Sequence, residues 1–309
     1  MNKRAFIRKG ILASATLAVG PSSLFSFEGA RSFSSHIPVV DTHLHLWDLS
    51  EMDYPWLKGK GLPLEKNYSL ADYRKATKGF PVSKMVFVEC GRAPEQYLQE
   101  VDWVQGLSGK NPEIAGMVAY FPLEKGAAAQ EDMEKMAERN IVRGIRKSFM
   151  PGNSGYFQGI ALMKNFHWVC EVNIGHEQLG DFLDMVKKFP EQVFILDHMV
   201  NPDIRNQDWN TWEKALMPFA SQDRVYCKVS GILTRTSWNW ELPDIQPYFD
   251  TVMEVFGPDR IMYGGDWPVL LRAETLHRWI TSFYALSKAL SMEEKRKLFH
   301  SNAELVYRI

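Results

Sequence analysis

Apolar and β-branched residues arrive in short runs along the chain, and between them lie longer stretches whose apolar positions return at helical spacing. The runs are PVVDTHLHLW (38–47), KMVFVEC (84–90), IAGMVAYF (114–121), IVRGIRKSF (141–149), WVCEVNIG (168–175), VFILDHM (193–199), VYCKVSG (225–231) and RIMYGGDWP (260–268). Stretches such as EQYLQEVDWVQGLSG (95–109), AAAQEDMEKMAERN (127–140), LGDFLDMVKKFP (179–190) and PDIQPYFDTVMEVFG (243–257) carry the helical pattern. The units recur about every 32 residues, close to the ~30-residue strand–helix–strand repeat. Eight of them predict an α/β fold of the (β/α)8 TIM-barrel type, with functional side chains at the C-terminal strand ends. A doubly wound sheet is disfavoured, because neither G-x-G-x-x-G nor G-x-x-x-x-G-K-[ST] occurs. No linker or low-complexity tract interrupts the pattern, so residues 37–309 read as one barrel domain.

The beginning of the chain follows a different rule. Residues 1–10 (MNKRAFIRKG) carry Lys3, Arg4, Arg8 and Lys9 with no acid, and the apolar run ILASATLAVG comes next. That run is too short for a membrane span but suits the apolar region of a signal peptide. The Lys3–Arg8 segment resembles a twin-arginine export signal with lysine in the first arginine position. Residues 1–36 are therefore expected to be a signal peptide and leader, and the protein to be exported, into the periplasm. Lys+Arg (36) and Asp+Glu (37) nearly cancel, so a broad basic footprint for nucleic acid is lacking. Cys90, Cys170 and Cys227 lie in apolar runs, without the spacing of a disulfide framework or a structural zinc site. Nothing in the pattern sets an oligomeric state.

Chemistry-bearing residues cluster at four strand ends. In Asp41-Thr42-His43-Leu44-His45, strand alternation puts Asp41, His43 and His45 on one face. Two imidazoles at a barrel mouth can ligate a metal or donate hydrogen bonds, or can be satisfied core histidines. Asp41, deeper, suits a structural role, holding a ring or backbone group. In Gly264-Gly265-Asp266-Trp267-Pro268 the paired glycines permit close backbone approach, and Asp266 reads as either a proton acceptor at the rim or a helix N-cap. In Leu196-Asp197-His198, parity allows only one residue inward; we expect His198, leaving Asp197 as a partner facing elsewhere. Of Arg146 and Lys147, Arg146 is expected inward to grip a substrate oxygen, and Lys228 to steady developing negative charge; rim salt bridges are the competing reading.

Taken in order, VVDTHLHLWD, GIRKSF, LDHM, CKVSGI and IMYGGDWPV resemble the amidohydrolase superfamily, in particular its sugar-lactonase branch, which includes L-fuconolactonases, L-rhamnonolactonases and 2-pyrone-4,6-dicarboxylate lactonases. The resemblance implies a hydrolase opening a lactone ring, with Asp266 activating water and His43, His45 and His198 polarising the carbonyl. It implies no required cofactor; if one divalent ion such as zinc is present, its ligands are His43, His45 and Asp266. A dinuclear centre is not expected, since the fifth strand end reads Glu171-Val172-Asn173 with no histidine until His176. The expected partner is a small-molecule lactone, a neutral aldonolactone in preference to a dicarboxylate, for which Arg92, Arg146 and Lys228 would supply cations. Trp47, Tyr54, Trp56, Trp238, Trp240 and Trp267 are expected near the mouth, Trp47 and Trp267 against substrate. Glu89 is expected either to bind a hydroxyl or to sit in a buried ion pair. The alternatives are a metal-dependent amide hydrolase or decarboxylase on the same barrel, and a noncatalytic sugar-binding barrel.

Overall fold

The structure, a computed structural model, describes residues 37–59, 63–206 and 208–309; the expected leader, 1–36, lies outside them. Eight parallel strands form one sheet in sequence order: β1 (Val39–Leu44), β2 (Val82–Val88), β3 (Ile114–Tyr120), β4 (Val142–Arg146), β5 (Val169–Val172), β6 (Phe194–Leu196), β7 (Val225–Val229) and β8 (Ile261–Tyr263). Helices connect successive strands on the outside, giving the predicted barrel. The helical stretches read from the sequence appear as Tyr97–Lys110, Gln130–Ala137, Leu179–Lys188 and Leu242–Phe256. Among the described residues no helix is long and apolar enough to cross a membrane.

The strands are buried on both faces, which is why they read as continuous apolar runs rather than clean alternations. Val40, Val86, Val88, Val118, Val169, Ile195 and Met262 form the inner cluster, joined by Ala303, Val306 and Tyr307 from the helix Asn302–Tyr307. A second, larger cluster between the sheet and the outer helices includes Leu44, Phe87, Val172 and Leu196. Beyond the regular strands, β1 and β8 are tied by backbone bonds from Asp266 N to His43 O (2.8 Å) and from His45 N to Trp267 O (2.8 Å). The barrel thus shuts at the C-terminal end of its first strand, among residues with chemical potential of their own.

Candidate active site

A bulge sets the first pair of histidines. Asp41 pairs with Met85 and Leu44 with Phe87, so β1 spends three steps where β2 spends two. The extra residue reverses the side-chain alternation, as a β-bulge does. His43 consequently faces the barrel interior with His45, whereas Asp41 points outward, correcting the expectation that the three share a face. Asp41 accepts from Tyr73 Oη (2.7 Å), Gly265 N (2.8 Å) and His43 N (3.0 Å), the structural role expected of it. A Cβ on Gly265 would stand 2.4 Å from Asp41 Oδ2, and one on Gly264 would stand 2.8 Å from His43 Cβ. The glycine pair is what lets β8 approach β1 this closely.

The second correction concerns Asp197 and His198. The backbone leaves β6 and takes positive φ at His198 (54°), Met199 (54°), Val200 (61°) and Asn201 (48°). Parity stops applying once the chain leaves the extended conformation, so both side chains reach the interior. Asp197 is fully buried, accepting from Arg146 Nε (2.8 Å), with Oδ1 3.4 Å from His43 Nδ1. His198 stands above it, its ring centroid 4.6 Å from that of His43 and its Nδ1 2.9 Å from Ser230 Oγ. Four consecutive positive φ values, one on a β-branched residue, are uncommon and cluster characteristically at functional sites.

Asp266 completes the constellation, itself at φ 52° and buried. Its Oδ1 lies 3.5 Å from His45 Nε2 and 3.7 Å from His43 Nε2. The helix-cap reading does not hold, because the turn that follows has no side-chain cap. Hydrogen bonding fixes the tautomer of His45. Its Nδ1 is 2.8 Å from Val88 O, which only accepts, so Nδ1 carries the proton and Nε2 presents a lone pair to the site. His43 Nε2 is buried with no hydrogen-bond partner. The Nε2 atoms of His43 and His45 and a carboxylate oxygen of Asp266 converge, within 4.8 Å of one another. Such a donor set fits one divalent cation, with Asp197 orienting His43 and Val88 orienting His45 as outer partners.

Electrostatics follow from burial and neighbours. Burial pushes His43 well below the ordinary imidazole value, and burial likewise lowers His198. For Asp266 burial alone opposes ionisation, but His198, His45 and His43 outweigh it and hold the carboxyl at about 2. The same competition keeps Asp197 well below its ordinary value: burial raises it, and His43, Arg146 and Lys228 more than reverse the effect. Beneath the imidazoles Lys228 donates to Glu171 (2.5 Å) and lies 3.5 Å from His43 Nδ1. Burial, with Asp197 nearby, pushes Glu171 up to about 7.

A cleft of about 490 Å³ opens above this floor, lined by His45, His198 and Asp266 together with Trp56, Glu89, Arg146, Asn173, Asn201, Arg235 and Arg272. Arg146 and Glu89 are thus in the cleft, and they also bond to each other (3.2 Å). Lys147 turns away to Glu124 (3.0 Å) and Tyr120 (2.9 Å), as parity predicts. Three expected substrate contacts are corrected. Lys228 is fully buried below the histidines, its charge taken up by Glu171. Trp47 and Trp267 are buried in an aromatic cluster against Tyr68, and Trp47 Nε1 donates to Lys66 O (2.7 Å). Trp56 takes the aromatic place in the cleft wall. Asn173, Asn201, Arg235 and Arg272 were not picked out from the sequence; only Asn173 had a readable signal, sharing the parity of Glu171.

Histidines and an ionised aspartate thus gather at the C-terminal mouth of a (β/α)8 barrel, where barrel enzymes carry their active sites. The family model described as amidohydrolase matches residues 40–309, and the chain belongs to that family. It is similar to the L-fucono-1,5-lactonase of Burkholderia multivorans, 25% identical and covering 87% of this chain and 95% of that one. It is also similar to the L-rhamnono-gamma-lactonase of Scheffersomyces stipitis, 23% identical, with 89% and 100% covered. In three dimensions it resembles an amidohydrolase of Burkholderia multivorans solved with bound zinc, with a TM-score of 0.79, 24% identity, and 88% and 99% covered.

Proposed function

We propose that this chain hydrolyses a lactone ring derived from a sugar. One observation carries the reading: a buried, ionised Asp266 faces the Nε2 atoms of His43 and His45, with His198 beside them, on the floor of a cleft sized for a small ring. The names of the two lactonase relatives support it.

Water held against Asp266 attacks the lactone carbonyl carbon while Asp266 accepts its proton. A carboxylate is a far weaker base than hydroxide, so the proton moves as the new C–O bond forms rather than before it. His198 is able to donate: when Ser230 gives its hydroxyl proton to Nδ1, Nε2–H faces the cleft and meets the oxyanion. The ring C–O bond then breaks, and Asp266 returns its proton to the departing alkoxide. Glu89 and Arg146 orient ring hydroxyls. One divalent ion on His43 Nε2, His45 Nε2 and Asp266 would supply Lewis-acid polarisation of the carbonyl.

Asp266→Asn is expected to lower kcat by about 10²–10³-fold with little change in KM. Near-wild-type turnover of an aldonolactone panel by this variant would sink the mechanism. Exhaustive chelation tests the absence of an obligatory metal: at least half the turnover retained supports it, and total loss restored by zinc overturns it. Export is likewise our proposal, supported by the basic-then-apolar pattern of residues 1–20. Sequencing the N-terminus of mature native protein checks it, and an intact Met1 refutes it.

A further inference from the structure

Among the described residues, two guanidiniums of the cleft have no carboxylate paired with them. Arg146 is met by Asp197 and Glu89, and Asp266 by imidazoles. Arg235 and Arg272 line the same cleft. They end the turns Ile232–Arg235 and Val269–Arg272, which follow β7 and β8 and pack against each other. Arg235 donates to the neutral Asn201 Oδ1 (2.9 Å), and Asp203 in the adjoining depression feels its charge together with that of Arg205. Arg272 has neither a hydrogen bond nor an ion pair among the described residues. It follows Asp266 on the same short loop, so a ring whose carbonyl sits at Asp266 has this guanidinium within the same enclosure. A planar guanidinium matches a carboxylate with two parallel hydrogen bonds, a geometry that hydroxyl groups do not reproduce.

We propose that the substrate carries a carboxylate seated by Arg272 with Arg235 beside it: the monolactone of a sugar diacid rather than a neutral aldonolactone. The proposal rests on the lactonase reading and narrows its substrate class. The test uses two lactones of one sugar series that differ only at the exocyclic end, CH2OH in one and COO⁻ in the other. Wild type should prefer the carboxylate lactone in kcat/KM, and Arg272→Gln should reduce that preference about 10–100-fold, largely through KM. Arg235→Gln should reduce it in the same direction, and raised salt should weaken it in wild type. Equal or better hydrolysis of the neutral lactone, or an equal loss on both lactones in Arg272→Gln, overturns the carboxylate site and leaves the lactonase reading standing. Calorimetric titration of Asp266→Asn with the carboxylate lactone separates the other failure. Binding that Arg272→Gln weakens, without wild-type turnover of either lactone, upholds the anion site and sinks the lactonase reading. Neither binding nor turnover sinks both.

Discussion

A single protonation pattern governs the candidate site. His45 is locked by Val88 O with its lone pair inward, His43 leaves Nε2 without a partner, and both face the ionised Asp266. Protonating His43 would pair it with that carboxylate and remove the base. The sign follows from burial: His43 and His198 lie below the ordinary 6.5, so their neutral forms persist into mildly acidic solution. Asp266, at about 2, stays ionised throughout that range. Hence kcat/KM should be flat through neutrality and fall only as pH drops below 6.5, with the midpoint of the acid limb under that value. A limb centred at or above 6.5 would contradict the burial argument.

At the scale of elements, the apolar runs already held the barrel, its strand order and the glycine pair, because strands buried on both faces and close backbone approaches leave marks in composition. Side-chain direction was less legible. Alternation assumes an unbroken strand, and both failures occur where the strand breaks its own rule: at the bulge between Asp41 and Leu44, and over the left-handed stretch His198–Asn201. Nothing local in Thr42 or Val200 signals either departure. The loop after β7 carries a related constraint. Gly231 has φ 61°, and a Cβ there would stand 2.5 Å from His198 Nδ1 and 2.9 Å from Asp266 Oδ2. Gly231→Ala should therefore cut kcat about 10²-fold by displacing both groups, with circular dichroism unchanged. Wild-type turnover would show that the loop absorbs the methyl without moving the site.

Across the whole molecule, the helix Asn302–Tyr307 closes the end of the barrel opposite the cleft. Tyr307 is fully buried among the inner valines, and its hydroxyl donates to Glu171 Oε2 (2.9 Å), the acid that also receives Lys228. A polar column therefore runs from this helix through Glu171 and Lys228 to His43. Tyr307→Ala should cost about 3–5 kcal/mol in urea unfolding through the cavity it leaves. Tyr307→Phe should cost about 1–3 kcal/mol, leaving one carboxylate oxygen without its donor. Equal losses for the two would mean the ring itself contributes nothing to the seal. The identities of Tyr307 and Lys228 were visible in the sequence; their meeting across the barrel was not, since only the closed sheet brings them together.

The two backbone bonds between β1 and β8 have a separate implication. They are made by His43, His45, Asp266 and Trp267, so the amides that shut the cylinder belong to the residues proposed to do the chemistry or stand next to them in the chain. Breathing at that edge would pull the base away from its imidazoles even with every other strand pair intact. Catalysis would then stop at the first loosening of the cylinder, long before global unfolding, and the solvent-exchange rates of the His45 and Asp266 amides would act as a gauge of how much of the population is competent.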